Sequence, residues 1–244
     1  MTSVTKTLTD YGNPRSVGSR LRARRLAHLM PLVETVFHEK GGVRILDMGG
    51  TTTYWRLLSP DYLASRRMEI TLVNLPGELH DRDVPPFRLV EGDGCGLSMF
   101  ADNSFDLVHS NSVVEHVGDW DRMKAFAHEV RRLAPRYFVQ TPNFWFPIEP
   151  HFMCPFFHWL PEPARVRLLL LTGLGHYRRA ESVDGAVAAV QGPRLLSRRM
   201  MASLFPDAAI VTERVALLPK SLMAIRSGED TRLRYGQDSP IHRP

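Results

Sequence analysis

The sequence contains little cysteine and no long apolar run. Its two cysteines, Cys95 and Cys154, are too few for a disulfide framework or a cysteine metal site, so we expect two reduced thiols. The longest aliphatic run is Leu168 to Leu171, whereas a membrane-spanning helix needs about 18 apolar residues. No secretory leader and no internal repeat is found. These absences predict a cytoplasmic protein without a membrane span and without a metal site.

The charge is basic and concentrated near the start of the chain. The formal net charge is +5 at pH 7, and 43% hydrophobic with 23% charged residues is typical of a globular protein with one sizeable core. A basic helix can bind nucleic acid or an anionic membrane, but it can equally be a solvated helix face. We favour the solvated face for the arginines of this segment, which are Arg15, Arg20, Arg22, Arg24 and Arg25.

Short apolar runs alternate with helical patterns along the chain. The runs predict strands at 43–48, 69–73, 87–90, 105–109 and 137–140, and the patterns predict helices at 19–39, about 55–64 and 119–133. A helix at 195–204 follows, then strands at 209–217 and 221–226 joined by a Leu-Pro-Lys turn. This order predicts an α/β, Rossmann-like fold with a mostly parallel sheet, helices on both faces and an antiparallel C-terminal hairpin.

The chain divides into five predicted segments. These are an N-terminal helical segment at 1–40, a cofactor-binding core at 41–145, an inserted cap or acceptor region at 146–194, the C-terminal helix and edge hairpin of the core at 195–226, and a flexible tail at 227–244. The cap is rich in aromatics, prolines and arginines. Open α/β sheets bind ligands at the carboxyl ends of their strands, and the polar and glycine-rich clusters of this chain follow its predicted strands.

The segment ILDMGGT at 45–51 carries the main functional signal. A strand ends in an acidic residue, and two glycines then let the backbone turn tightly against a ligand. The dinucleotide fingerprint needs further glycines to seat a pyrophosphate, but threonines, Tyr54 and Trp55 follow here and would crowd it. A phosphate-free ligand with an ammonium group fits better, because Asp47 places a negative charge where a diphosphate would be repelled.

Polar groups also follow the next three predicted strands. Asn74 can hydrogen-bond ribose hydroxyls, and the carboxylate of Asp93 can accept from the exocyclic amine of adenine. The fourth strand leads into Ser110 and Asn111. This order of groups predicts a nucleoside site along the rim of the sheet.

Taken together, the motifs resemble those of class I S-adenosylmethionine-dependent methyltransferases, close to the methyltransferase type 11 group. The matching pieces are ILDMGG, LVNL, EGDG, ADNSFDLVHSNSVVEHV and FVQTPN, within about residues 41–145, and more loosely the hairpin at 209–226. Each piece alone is weak evidence, but the ordered set is specific. The resemblance implies a seven-stranded sheet with S-adenosylmethionine lying over strands one to four.

The resemblance also implies the cofactor contacts. They are Asp47, Gly49 and Gly50 at the methionine part with Thr51 beside them, Asn74 at the ribose with Leu75 beside it, Asp93, Gly94 and Cys95 at the adenine, and Ser110 and Asn111 on the methionine side. Two departures stand out. Threonines replace the further glycines that the family usually has after the first strand, and an amide replaces its usual acid at the end of the second. An amide donates and accepts hydrogen bonds but has no charge, so we expect weaker cofactor binding or the help of other groups.

Methyl transfer from a sulfonium needs mainly alignment and exclusion of water, because the donor is already activated. An oxygen or nitrogen acceptor often also needs a base to take its proton. The first candidate is His151, just after the fifth strand, with Glu149 orienting it or binding the acceptor. Alternatively, both residues simply tie this loop to the cap. The other candidates are His116 on the floor of the site, His109, which is expected to be packed within a strand, and His158 and His176 in the cap.

These inferences predict methyl transfer from S-adenosylmethionine to a small-molecule acceptor, such as a sugar or another secondary metabolite. Two alternatives stay open: a nucleic-acid methyltransferase and a degenerate, non-catalytic partner protein. The former is disfavoured, because enzymes acting on base amines tend to carry an N/D-P-P-aromatic loop after the fourth strand, where this chain has Ser-Asn-Ser-Val. A nicotinamide oxidoreductase would need the full glycine fingerprint. Neither the oligomeric state nor the methylated atom follows from the sequence.

Overall fold

The computed structural model describes residues 17–78, 83–175 and 177–228. The helices are α1 (Val17–Lys40), α2 (Thr52–Trp55), α3 (Pro60–Ser65), α4 (Trp120–Leu133), α5 (Glu162–Leu171), α6 (Val183–Gln191) and α7 (Arg198–Leu204), with 3₁₀ turns at Val114–His116 and Phe157–Trp159. The strands are β1 (Val43–Met48), β2 (Met68–Asn74), β3 (Phe87–Glu91), β4 (Leu107–Asn111), β5 (Tyr137–Pro142), β6 (Ile148–Glu149), β7 (Cys154–Pro155), β8 (Ala209–Val215) and β9 (Leu218–Arg226). His176 and most of the predicted tail lie outside the described residues. None of the helices in the described part of the chain has the length and apolar character needed to cross a membrane.

Seven strands form one sheet in the order β3-β2-β1-β4-β5-β9-β8. Strands β1 to β5 are parallel, whereas β9 pairs antiparallel with both β5 and β8. The predicted fold class, a mostly parallel seven-stranded sheet with an antiparallel C-terminal hairpin, is therefore confirmed. The strand order reverses between β1 and β4, and in open α/β sheets such a reversal marks the crevice that binds ligands.

Helices cover both faces of the sheet, because successive residues of a strand point to opposite sides. On β1, Leu46 belongs to one buried cluster with Phe126 of α4 and Met201 of α7, while Ile45 belongs to another with Val33 of α1. All five side chains are fully buried. Burying a side chain of this kind contributes about 1.5–3 kcal/mol, so both helical layers hold the central strands, and with them the rim, in place.

The chain between β5 and α7 forms a small unit with a core of its own. The ribbon of β6 and β7 precedes α5 and α6. The ring of Phe152 lies against Phe157 and Tyr177, at centroid distances of 4.4 and 4.5 Å. Leu169 of α5 and Ala186 of α6 are buried in the same cluster. This segment therefore has packed aromatic residues that fix the position of its first strand.

Two predicted elements differ from the structure. The helix expected at about 55–64 is divided, because Oγ of Ser59 accepts from Tyr62 N at 3.1 Å and Pro60 opens a new helix. The turn expected at 218–220 is wrong, since Pro219 lies within β9 and the chain reverses two residues earlier. The register shift between Glu213 and Arg214 leaves Lys220 as an extra residue of β9, so a bulge lies beside Pro219, and proline is tolerated in strands at such irregularities.

The tight turn between β8 and β9 gives a testable prediction. Ala216 and Leu217 have φ angles of 49° and 70°, a left-handed conformation that costs a residue with a Cβ about 1–2 kcal/mol. Leu217 is also 90% exposed, so its side chain adds little packing. We expect Leu217→Gly to raise the free energy of unfolding by about 0.5–1 kcal/mol in denaturant titrations. The control Leu218→Gly, within β9, should lower the free energy of unfolding. If Leu217→Gly proved less stable than Leu218→Gly, the left-handed turn described here would be contradicted.

Candidate active site at the carboxyl ends of the strands

The turn after β1 forms the centre of the rim. Gly49 has a φ of 73°, and its N–H donates to Val73 O at 2.7 Å. A Cβ on Gly49 would lie 2.5 Å from Val113 Cγ2, and a Cβ on Gly50 would lie 1.8 Å from Asp47 Oδ2. Both positions therefore require glycine, and the turn packs tightly between the end of β2 and the segment that follows β4.

The carboxylate of Asp47 lies beneath this turn and is fully buried. Oδ2 accepts from Trp55 Nε1 at 2.8 Å, and Oδ1 lies 2.7 Å from His109 Nδ1. The expected contact between Asp47 and a ligand ammonium needs correction, because a buried carboxylate needs these two partners and both of its oxygens are used within the protein. Any part that Asp47 plays in binding is therefore indirect, through the shape of the turn.

His109 is packed within the sheet, as the sequence predicted. Its side chain is 1% exposed, and its ring stacks on Phe138 with an interplanar angle of 9°. Because the Asp47 carboxylate can only accept, Nδ1 of His109 carries the proton between them. This bond joins β4 to β1 directly under the candidate site.

The residues that follow the turn do not crowd the rim. Thr51 is exposed, whereas Thr52, Tyr54 and Trp55 are buried. The expectation that the side chains of Tyr54 and Trp55 would obstruct a pyrophosphate is therefore wrong, because they pack into the core. These side chains therefore give no reason to expect a ligand without phosphate.

The end of β2 supports the turn through an amide. Asn74 Nδ2 donates to Gly50 O at 2.9 Å, and its oxygen can still accept. An aspartate here would place a carboxylate oxygen against that carbonyl, which explains why this chain differs from the usual acidic residue. Leu75 follows and is 53% exposed, so it offers an apolar face at the rim.

The loop after β3 carries an exposed ion pair. Asp93 accepts from Arg122 Nη2 at 2.7 Å through Oδ2 and from Cys95 N at 2.9 Å through Oδ1. The hydrogen bond and charge of Arg122 hold the pKa of Asp93 below its ordinary value. Gly94 is closely packed, since a Cβ there would lie 3.1 Å from Phe126. Asp93 remains partly exposed and has further acceptor positions for a ligand donor.

The end of β4 is linked to the N-terminal helix. Ser110 is buried and its Oγ donates to Met48 O at 3.0 Å, so its hydroxyl serves the sheet. Asn111 Oδ1 accepts from Arg25 Nη1 at 3.1 Å, and Arg25 also pairs with Glu213 of β8, Nη2 to Oε2, at 2.9 Å. The solvated face predicted for the N-terminal arginines is therefore wrong for Arg25, which is buried and ties α1 to both strands.

The three predicted catalytic residues lie together. Nδ1 of His151 is 2.6 Å from Glu149 Oε1, and Nε2 of His151 is 3.0 Å from Nε2 of His116. Because a carboxylate accepts, Nδ1 of His151 carries a proton and its Nε2 is the nitrogen that is directed at His116. Glu149 Oε2 also accepts from Phe152 N, at 2.6 Å, which fixes the carboxylate. The sequence suggested that Glu149 orients His151, and this geometry is compatible with that role.

This cluster lies beside the turn of β1. Glu115 and His116 belong to the 3₁₀ turn after β4, and Val113, just before it, packs on Gly49. Thr141 of β5 donates through Oγ1 to Glu115 Oε2 at 2.9 Å. The ends of β1, β4 and β5 and the start of the cap therefore meet at one place.

The titratable groups of the cluster are strongly perturbed. Burial, together with the charge of His151, lowers the pKa of His116 to about 4. Burial also acts to lower the pKa of His151, but the hydrogen bond and charge of Glu149 outweigh it and raise that pKa above its ordinary value. Burial raises the pKa of Glu115 to about 7. Perturbed values of this kind concentrate at functional sites.

The same residues include a set of possible metal ligands. One ligand atom from each of Glu115, His116 and His151 lies within 4.8 Å of the others. Oε1 of Glu115 is buried and has no hydrogen-bond partner among the described residues. The prediction that the chain has no metal site rested on its cysteines and did not consider this cluster.

A cavity of about 310 Å³ lies within the cap, with Phe144 and Leu195 at its edges. Glu149 lines it, together with aromatic side chains such as Phe157. Its charged lining residues are the acids Glu149 and Glu162 and the bases Arg165 and Arg194. His116 and His151 are not among the lining residues. Glu149 is therefore the residue that the cavity shares with the catalytic cluster.

Sequence reasoning missed Glu115, Thr141 and Arg25. Glu115 and Thr141 stand inside the motifs VVEHV and FVQTPN, directly after strands, where polar side chains meet at the rim. Arg25 lies four residues from both Leu21 and Leu29 and therefore on the apolar face of α1. That spacing was a signal that the guanidinium would be buried.

Residues 49–136 match the family model described as a methyltransferase domain, whereas no curated protein matches the sequence. Among solved structures, the carbon methyltransferase DszA is similar with a TM-score of 0.54 and 13% identity over 87% of this chain and 55% of that one. The CurJ carbon methyltransferase has a TM-score of 0.46 and 14% identity, covering 77% of this chain and 49% of that one. Phosphoethanolamine N-methyltransferase 2 of Haemonchus contortus, solved with S-adenosyl-L-methionine, has a TM-score of 0.42 and 16% identity, with coverages of 70% and 35%.

These structural similarities concern the fold. The chain spans about half the length of several of the solved structures that it matches, the DszA and CurJ methyltransferases among them. At such low identities the DszA structure supports the shared architecture of the sheet, and it carries no information on the acceptor of this chain. The family match, by contrast, covers the turn after β1 and continues to the end of α4.

The buried carboxylate under the turn gives a second prediction. We expect Asp47→Ala to lower the free energy of unfolding by about 3 kcal/mol, because it leaves the donors of Trp55 and His109 unpaired in the core. Denaturant titration measures this change. Asp121→Ala, which removes an 83% exposed carboxylate on α4, is the control and should change it by less than about 0.5 kcal/mol. Equal stabilities for the two variants would contradict the structural role of Asp47.

Proposed function

We propose that this chain is a class I S-adenosylmethionine-dependent methyltransferase that transfers a methyl group to a small, hydroxyl-bearing molecule held by the cap. The observation that carries the proposal is the meeting of two sites. The turn after β1, which lies in the family-matched region, packs against Val113. Three residues later, Nε2 of His116 lies 3.0 Å from Nε2 of His151 in the cap. A methyl donor on the rim would therefore lie beside groups able to activate an acceptor.

The rim suits an adenosyl group. Asn74 offers an amide oxygen for a ribose hydroxyl, Leu75 offers an apolar face, and Asp93 offers a carboxylate for an exocyclic amine. The Gly49-Gly50 turn allows close approach of the backbone, since a side chain at either position would collide with its neighbours. When bound, S-adenosylmethionine supplies a methyl group that is already activated by its positively charged sulfur.

The cavity supports a small acceptor with hydroxyl groups. Its volume of about 310 Å³ lies at the lower end of the usual range for small-molecule sites. Its lining combines the carboxylates of Glu149 and Glu162 with the guanidinium groups of Arg165 and Arg194. A hydroxyl both donates and accepts, so a sugar or a similar oxygen-rich molecule can pair with both kinds of group. Glu149 is the lining residue that also belongs to the catalytic cluster, so the reacting hydroxyl would have to extend from the cavity past Glu149 to His151.

His151 is the residue that we propose to act on the acceptor. Its Nδ1 proton is held by Glu149, so its Nε2 can take the proton of an acceptor hydroxyl as the oxygen bonds to the methyl carbon. The bond from that carbon to the donor sulfur would break in the same displacement, and the sulfur would leave as a neutral thioether. Glu149 stabilises the imidazolium that results, because the buried carboxylate lies 2.6 Å away. His116 lies next to the same nitrogen and is proposed to help position the acceptor.

Removal of His151 should separate binding from chemistry. We expect His151→Ala to leave the Kd for S-adenosylmethionine unchanged and to lower kcat by about 10²–10⁴, since general bases contribute in this range. Calorimetry measures the Kd, and turnover with radiolabelled S-adenosylmethionine measures kcat. His128→Ala, on the exposed side of α4, is the control and should retain full kcat. Normal turnover by His151→Ala would contradict the assignment of His151 as the general base.

Loss of the Asn74 amide should weaken donor binding. We expect Asn74→Ala to raise the Kd for S-adenosylmethionine about tenfold, because the turn loses its bond to Gly50 and the ribose loses an acceptor. The control Glu69→Ala changes an exposed residue near the other end of β2 and should bind normally. Should wild-type protein bind reduced nicotinamide dinucleotide and not S-adenosylmethionine, the proposed function itself would be wrong.

A further inference from the structure

We propose that Glu115, His116 and His151 form a binding site for one divalent transition-metal ion of the Zn²⁺ type. This site is separate from the contacts with the methyl donor, and it joins the 3₁₀ turn after β4 to the start of the cap. Two imidazoles and one carboxylate are a ligand set typical of such ions, whereas Mg²⁺ prefers oxygen ligands.

The distances suit one shared ion. The candidate ligand atoms all lie within 4.8 Å of one another, and the two histidine Nε2 atoms are 3.0 Å apart. Two nitrogens bound to one tetrahedral zinc at ordinary bond lengths lie about 3.3 Å apart. The histidines would need to separate by only a few tenths of an ångström to hold the ion between them.

The surrounding hydrogen bonds are those of metal ligands. Histidine ligands usually donate their other ring N–H to a carboxylate, and here Nδ1 of His151 is held by Glu149 at 2.6 Å. Carboxylate ligands are likewise hydrogen-bonded, and Glu115 Oε2 accepts from Thr141 at 2.9 Å. Glu149 and Thr141, which hold the candidate ligands through these bonds, are almost fully and fully buried, so they keep the ligands in fixed orientations.

A shared proton explains only part of this arrangement. One proton between the two Nε2 atoms would account for their 3.0 Å separation. It would leave Oε1 of Glu115 without a hydrogen-bond partner among the described residues, in a side chain that is fully buried. An unpaired carboxylate oxygen in the interior is costly, and a cation bound by both histidines would also satisfy it.

The ion and the proposed base use the same lone pair. While an ion occupies Nε2 of His151, this imidazole cannot take a proton, and the ion would instead lower the pKa of an acceptor hydroxyl that approaches it. The metal site does not depend on the methyl donor. Binding of the ion can therefore be tested without donor or acceptor, and either proposal can fail while the other stands.

Metal titration of the full chain tests the site. After chelator treatment and dialysis, calorimetry with ZnCl₂ should show one ion per chain, and excess MgCl₂ should not compete. We expect His116→Ala and Glu115→Gln each to weaken Zn²⁺ binding at least tenfold, and Glu149→Gln to weaken it about 10–100-fold through the outer shell. His128→Ala should bind like wild type, and so should Cys154→Ser, which removes the thiol opposite Glu149.

Co²⁺ provides a readout that needs no variant. Bound by two imidazoles and a carboxylate in a four- or five-coordinate site, Co²⁺ should give visible absorption that saturates at one equivalent per wild-type chain and disappears when Zn²⁺ displaces it. The proposal is overturned if the wild-type chain binds neither ion, or if folded His116→Ala and Glu115→Gln proteins bind Zn²⁺ as tightly as wild type. Loss of binding in Cys154→Ser alone would also overturn it, because the thiol would then be the ligand.

Discussion

The buried hydrogen bonds of Asp47 are the constraint on which the candidate site depends. A carboxylate removed from water is costly unless it is paired, and here Trp55 and His109 supply both partners. Trp55 belongs to the helix after the turn and His109 to the neighbouring strand, so one side chain fixes three elements at the point where strand order reverses. The carboxylate also fills the space that a side chain at position 50 would need. The buried acid alone therefore already requires glycine at this position.

From this turn, direct contacts extend to the reactive cluster, which consists of Glu115, His116, Glu149 and His151. Gly49 packs on Val113, and two residues later the chain places Glu115 in the interior against Thr141. His116 then meets His151, which the cap supplies under the control of Glu149. The core thus holds one half of the reactive cluster rigidly and the cap holds the other. In our proposal this division lets the core bind the donor while the cap selects the acceptor.

The fold was largely predictable because the strands are short apolar runs that end in turn residues, and this signal is local. The grouping of His151, Glu149 and His116 was also within reach, since each follows a strand whose carboxyl end lies on the same edge. The partners of Asp47 were not, because a strand residue and a helix residue meet only after the sheet has formed. The same holds for Arg25, whose ion pair with Glu213 joins residues 188 positions apart. The hairpin turn failed for another reason: Pro219 is a strong turn signal, but the bulge beside it accommodates proline within the strand.

Three atoms of the reactive cluster need a proton or a cation. Nδ1 of His151 is committed to Glu149, which leaves the two facing Nε2 atoms and Glu115 Oε1 to be satisfied. One proton between the two Nε2 atoms satisfies the imidazoles, and a second proton is then needed at the buried carboxylate. The metal ion that we propose would take the place of both protons, because it can bind all three groups at once. Since the ion and the protons compete for the same atoms, its binding in this proposal would weaken as the pH falls.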